Sequence, residues 1–175
     1  TCLSSKSTRP LTLISTLISA LQPIITKVTL SHNRFKHTPS LGNTVTWLDL
    51  SWNRITVVDE NVSQLVLLRH LDLRHNQLGN RSLPDLSDLN FLEYLDLSEN
   101  QLTAWPRISA NSTLKWLNMG YNVDLGDPQD SFGPYPNLTY LNFTYTKVRV
   151  FPKFVMSAAD SLVTLDMSNT LISRL

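Results

Sequence analysis

Residues 68–78 read Leu68-Arg69-His70-Leu71-Asp72-Leu73-Arg74-His75-Asn76-Gln77-Leu78, and this stretch decides the architecture. Leucine fills its first, fourth, sixth and eleventh places, and asparagine its ninth. The same spelling precedes it as Ile25, Val28, Leu30, Asn33, Phe35 and as Val45, Leu48, Leu50, Asn53, Ile55. It follows as Leu92, Leu95, Leu97, Asn100, Leu102, and as Leu114, Leu117, Met119, Asn122 with an irregular Asp124-Leu125. Two last versions are Leu138, Leu141, Phe143, Thr146, Val148 and Leu162, Leu165, Met167, Thr170, Ile172. The spacing of about 20 to 24 residues is that of stacked structural repeats.

Places four and six put two apolar side chains on one face of a short strand. One repeat cannot bury that face alone, and stacking the next beside it closes a continuous core. Consecutive strands then run the same way, so the sheet is parallel and the chain returns across the back in every repeat. The ninth-place asparagine falls where the chain bends away from the strand. Its amide both donates and accepts, which suits it to satisfy backbone groups exposed by the bend. Thr146 and Thr170 take that place in the last two repeats, where a shorter side chain predicts looser turns.

The returns carry a second apolar pattern. Val62 and Leu65, Leu83, Leu86 and Leu89, Phe132 and Tyr135, and Met156 and Ala159 are expected to face inward on the convex side. Trp105-Pro106 and Phe151-Pro152 enforce extended paths, because proline resists the helix. Residues 126–136 hold Pro128, Gly133, Pro134 and Pro136 and read as an irregular loop. Long helices are not expected, and residues 153–161 are the best candidate for a helical turn or two.

Composition narrows the function. The 175 residues carry Lys+Arg 15 against Asp+Glu 14, a net charge of +1, which gives nucleic acid no electrostatic foothold. Cys2 is the single cysteine, so no internal disulfide can form. No run reaches the ~18 apolar residues of a membrane span, so membrane association would come only through parts outside this chain. Residues 11–25 faintly mimic a signal peptide but fit the repeat better. There is no nucleophile setting and no glycine-rich phosphate loop, so neither catalysis nor a cofactor is expected.

The chain resembles the extracellular leucine-rich-repeat proteins, the group that includes Toll-like receptor ectodomains, Slit and lamprey variable lymphocyte receptors. The resemblance covers about residues 17 to 175. Its most typical wording is Leu-Asp-Leu-Ser at 48–51 and 95–98, each followed two residues later by asparagine. It implies an α/β fold: a right-handed leucine-rich-repeat solenoid, or horseshoe, with a parallel β-sheet on the concave face and mostly irregular convex returns. Residues 1–24 are then expected to be the remnant of an N-terminal cap with its entry segment, Cys2 standing where the cap's last cysteine falls. Residues 25–175 form an array of about seven repeats, truncated at its C-terminal end, so the chain is expected to be a fragment of a longer ectodomain.

In such a solenoid the strand places left free by the scaffold face the concave side. Place three reads Lys27, Trp47, His70, Tyr94, Trp116, Tyr140, Thr164, and place eight reads His32, Trp52, His75, Glu99, Tyr121, Tyr145, Asn169. Water-facing strand positions have no need of tryptophan, and Trp and Tyr are enriched at binding hot spots. The competing reading is that these rings simply pack on one another across strands. Place five forms an acidic stripe with Asp49, Asp72 and Asp96, which could meet a basic ligand or serve neighbouring turns. The expected ligand-binding set is Trp47, Asp49, Trp52, His70, Asp72, Arg74, His75, Tyr94, Asp96, Glu99, Trp116 and Tyr121. His32, His70 and His75 share this face, but no metal-ligand spacing such as His-Glu-x-x-His is present, and they read as surface residues.

Glycosylation acceptors, Asn-x-Ser/Thr, occur at Asn61, Asn80, Asn111, Asn137 and Asn142. The first three fall in return segments, whereas Asn142 stands at place five, where a glycan would shield the sixth repeat. The expected function is protein or other macromolecular ligand binding by an extracellular or cell-surface receptor, in innate immune recognition or in adhesion and guidance. Homo- and heterodimers are both compatible with it. The alternatives are an intracellular leucine-rich-repeat adaptor or scaffold, and a structural spacer with no ligand of its own.

Overall fold

The computed structural model describes residues 2–4 along the backbone, together with residues 25–80, 82–109, 111, 113–129 and 132–173. Eight three-residue strands make one sheet in sequence order: β1 (Cys2–Ser4), β2 (Lys27–Thr29), β3 (Trp47–Asp49), β4 (His70–Asp72), β5 (Tyr94–Asp96), β6 (Trp116–Asn118), β7 (Tyr140–Asn142) and β8 (Thr164–Asp166). Every neighbouring pair is parallel, and like places stand opposite one another, as in Leu48↔Leu71 and Leu71↔Leu95. The result is the parallel-sheet solenoid expected from the repeat. Strand β1 extends the sheet by one strand beyond the seven repeats, pairing Leu3 with Val28. The remainder of the expected cap and entry segment lies outside the described residues.

The middle residue of each strand points inward. Val28, Leu48, Leu71, Leu95, Leu117 and Leu141 are fully buried, as are Leu50, Leu73, Leu97, Met119 and Phe143 at place six or within 2% of it for Leu30. In the last repeat Leu162, Leu165 and Met167 are only half-buried against that core.

The asparagines tie each repeat to the one before it. Asn76 Nδ2 donates to the Leu50 carbonyl of the preceding repeat and to Leu73 of its own, both at 3.0 Å, while its Oδ1 accepts the Ile55 N–H at 2.9 Å. Asn53, Asn100 and Asn122 repeat this pattern, accepting from Phe35, Leu78 and Leu102. A buried polar group without a partner costs about 1–3 kcal/mol, and Asn76 spares the Ile55 N–H that cost while sharing the Leu50 and Leu73 carbonyls with Asn53 and Asn100. Thr146 makes a single bond of this kind, to the Phe143 carbonyl at 2.8 Å inside its own repeat. The hydroxyl is too short to bridge, so the turn loses the inter-repeat side-chain bonds, yet it keeps the shape of the others, with Tyr145 at φ 53° and its N–H 3.0 Å from the Ser168 carbonyl.

Among the described residues two short 3-10 helices lie on the convex side, Glu60–Gln64 and Lys153–Ala158. The second falls where a helical turn was expected, but it changes which residues face inward. Met156 and Ala159 are exposed, and Phe154, Val155 and Ala158 are buried instead. The tight 3-10 winding after Pro152 sets a phase different from the extended spacing assumed for the return. The first helix was not foreseen; its signal is Asp59, whose carboxylate accepts the Asn61 N–H at 2.9 Å as an N-cap. Where the return is irregular, Trp105, Phe132, Tyr135, Phe143 and Phe154 fill the space by edge-on and tilted ring packing. Among the described residues no helix is long and apolar enough to cross a membrane.

Candidate ligand-binding surface

Each strand presents place three outward, place four to the core and place five outward, because successive side chains alternate. The in-register pairing then turns the seven place-three residues into a column across the sheet. The Lys27 ammonium sits 4.0 Å from the Trp47 ring centre. Trp47 stacks on His70 at 3.4 Å, His70 on Tyr94 at 4.0 Å, Tyr94 on Trp116 at 5.6 Å and Trp116 on Tyr140 at 3.5 Å. All four ring pairs are within 16° of parallel. The ring faces are thus committed to one another, and what the column offers to solvent is its edges. Trp116 is enclosed far enough that its Nε1 is buried without a partner among the described residues.

Place eight forms the second column by a different route. His32, Trp52, His75, Glu99, Tyr121, Tyr145 and Asn169 all have φ between 52° and 59°. This left-handed conformation aims the backbone N–H of the first six at the place-seven carbonyl of the next repeat, as from Trp52 to Arg74 and from Tyr121 to Thr144. It costs a residue bearing a Cβ about 1–2 kcal/mol, and asparagine or glycine would meet it more readily. Only Asn169 follows that preference. Five of the others stack instead: Trp52 lies between His32 at 5.3 Å and His75 at 3.6 Å, and Tyr121 faces Tyr145 at 4.6 Å. Glu99 interrupts the rings, with its carboxylate 2.8 Å from His75 Nδ1. Trp47, Trp52, Tyr121 and Tyr145 are all more than a third exposed.

Between the columns runs the place-five stripe. Each member accepts the backbone N–H two residues on: Asp49 from Ser51, Asp72 from Arg74, Asp96 from Ser98, Asn118 from Gly120, Asn142 from Thr144. The stripe therefore shapes the turns, as one of its two readings had it. It is also closed at its centre, where Asp72 and Asp96 are buried. Tyr94 donates its hydroxyl to Asp96 at 3.3 Å, and Arg74 Nε lies 3.5 Å from Asp72. Place seven stays small except for Arg74. At Gly120 an added Cβ would lie 2.9 Å from Thr144 Oγ1 and 3.0 Å from Asn142 Oδ1.

Burial sets the protonation of this strip. It pushes the Asp72 carboxyl up to about 7, aided by the nearby Asp96 and Asp49 charges and opposed by the Arg74 N–H and guanidinium. It pulls the His70 imidazole down to about 4, with Lys27 and Arg74 helping and Asp49 opposing. Tyr94 is raised, first by burial and then by Asp96 and Asp72.

The structure brings all twelve expected site residues onto one face, as two edge-on columns and a largely satisfied stripe between them. The left-handed turn at place eight escaped sequence reading; its one clue was Asn169, a residue that favours this conformation. The acceptors divide sharply. Asn61, Asn80, Asn111 and Asn137 are exposed, away from the columns, whereas Asn142 is half-buried, with Nδ2 3.5 Å from the Tyr140 hydroxyl.

Residues 43–102 match the leucine rich repeat family. The chain is 32% identical over 157 residues to Podocan-like protein 1 of Mus musculus, a match covering 86% of this chain and 28% of that protein. It is 29% identical over 151 residues to adenylate cyclase of Schizosaccharomyces pombe, covering 83% of this chain and 8% of that one. A solved leucine-rich-repeat protein of Leptospira interrogans shares the fold with a TM-score of 0.54 and 26% identity, over 86% of this chain and 45% of that one. The chain spans less than half the length of each. What proteins so differently named have in common with it is the array. The repeat spelling, the parallel sheet and the asparagine-closed turns together make this chain a leucine-rich-repeat solenoid, a fold that typically serves as a binding module.

Proposed function

We propose that the concave face of this array binds a protein partner, as part of an extracellular or cell-surface receptor used in recognition or adhesion. The observation that carries this reading is the place-eight column. Trp52, His75, Tyr121 and Tyr145 occupy a backbone conformation that folding alone would give to asparagine or glycine. Their edges are exposed on a face whose rigidity lowers the ordering cost of association. The exposed acceptors at Asn61, Asn80, Asn111 and Asn137 support a secretory setting, since glycans there would leave the columns bare. Likeness to Podocan-like protein 1 and to lumican of Gallus gallus is compatible with that setting.

The spacer reading has one observation in its favour: the rings already satisfy one another face to face. Binding partners captured by the full-length protein carrying this array separate the two. Trp52→Asn with Tyr121→Asn should abolish capture while thermal stability is kept. Unchanged capture by that double variant would establish the place-eight column as scaffold only.

A further inference from the structure

The convex side holds two adjoining grooves that share Asp85, Ala104, Trp105, Pro106, Arg107 and Gln129 as a common wall, with volumes of about 460 and 570 Å³. Ligand pockets run from about 300 to 1,000 Å³, so each has room for a molecule of disaccharide size. The larger groove is also lined by Gly79, Ser82, Pro84 and Asn80, and Asn80 heads a glycosylation acceptor.

We infer that the first sugars of an N-linked glycan on Asn80 seat in this groove, against Trp105 and Pro106. A sugar ring presents apolar C–H faces and a rim of hydroxyls, so it needs a flat apolar wall beside polar groups. Trp105 is half-buried, with its Nε1–H held by the Gly126 carbonyl at 2.9 Å and its ring propped by Phe132, Phe143 and Phe154. The indole is therefore fixed before any sugar arrives, and little ordering cost remains. The polar groups stand beside it. The Arg107 guanidinium is 83% exposed and 3.3 Å from the Asp85 carboxylate, an open pair that supplies donors and acceptors. The Gln129 side chain is exposed and makes no hydrogen bond to another described residue. The Asn80 side chain likewise makes no hydrogen bond to another described residue, in contrast to Asn142, whose Nδ2 lies 3.5 Å from the Tyr140 hydroxyl. Because the sugar is attached to a residue of the wall, it enters the groove without a translational cost of its own.

This inference rests on the secretory setting proposed above, and the test keeps the two apart. The protein is secreted from mammalian cells, its sites are mapped by glycopeptide mass spectrometry, and the native protein is treated with an endoglycosidase that cuts within the chitobiose core. The Asn80 glycan should be released about tenfold more slowly than the Asn61 glycan, the scale of one ring-stacking contact. Arg107→Ala with Gln129→Ala, both at exposed positions, removes the polar groups beside the Trp105 face and should bring the rate at Asn80 part of the way back to that at Asn61. Equal release at Asn80 and Asn61 would overturn the seat and leave the secretory reading standing. So would an empty Asn80 beside occupied Asn61 and Asn137. Occupancy at none of the acceptors would overturn both.

Discussion

His70 and Asp72 stand two residues apart on one face of β4, and burial shifts their protons in opposite directions, the imidazole down to about 4 and the carboxyl up to about 7. Stability contributed by Asp72 is present below its ordinary carboxylate range and lost as pH rises through about 7. Stability contributed by His70 is present above its ordinary value of 6.5 and lost as pH falls toward about 4. The two dependences oppose each other over the same window, so the native protein should show a flat profile there. Asp72→Asn should leave a protein that gains stability between pH 4 and 6.5, and His70→Phe one that loses stability between pH 4 and 7. After discounting for solvent screening, each effect is on the order of 1 kcal/mol, readable by urea unfolding at three pH values. Parallel profiles for the two variants would contradict the assignment.

Asn76 and Thr146 hold the same place with different reach. Removing the Asn76 amide strands the buried Ile55 N–H and takes one of two amide donors from each of the Leu50 and Leu73 carbonyls, which keep Asn53 and Asn100, so three bonds across two repeats are lost. Asn76→Ala should cost about 3 kcal/mol or more, and Thr146→Val, which removes one hydroxyl bond, about 1 kcal/mol. Chemical denaturation of the two variants measures the difference. Equal losses would mean that the amides do not couple neighbouring repeats.

The two ring columns should respond differently to truncation. At place eight, Tyr121→Asn loses a stack worth about 0.5–1.5 kcal/mol but relieves left-handed strain of about 1–2 kcal/mol. The melting temperature should hardly move. At place three, Trp116→Ala removes a ring enclosed between Tyr94 and Tyr140 with no strain to relieve, at a cost of about 3 kcal/mol or more. Calorimetry on both variants tests this, and a large loss at Tyr121 would show that the turn tolerates aromatic residues without penalty.

The scaffold was legible because its rule is local. Leu68, Leu71, Leu73, Asn76 and Leu78 each need only their own repeat and the next to be understood, and the register follows from matching like with like. The twelve site residues were legible as positions for the same reason, since two-residue alternation assigns a face. Their engagement was not. That Asp96 is buried under Tyr94 depends on how a ring from place three leans over place five, which no spacing encodes. The inward residues of the last return were misplaced because Phe154 and Met156 exchange roles once Pro152 starts a 3-10 turn. Trp105-Pro106 read only as an extended segment, because the groove beside it is made by three returns whose side-by-side placement no single stretch reveals.

The place-three column also makes the molecule its own optical probe. Tyr94 and Tyr140 lie 5.6 and 3.5 Å from Trp116, well inside the range over which an excited phenol hands its energy to an indole. Light absorbed by these tyrosines should therefore emerge as tryptophan emission, and the near-parallel rings should couple into a strong near-ultraviolet dichroism. Loss of either signal during unfolding would report the unstacking of the central repeats directly, without any attached dye.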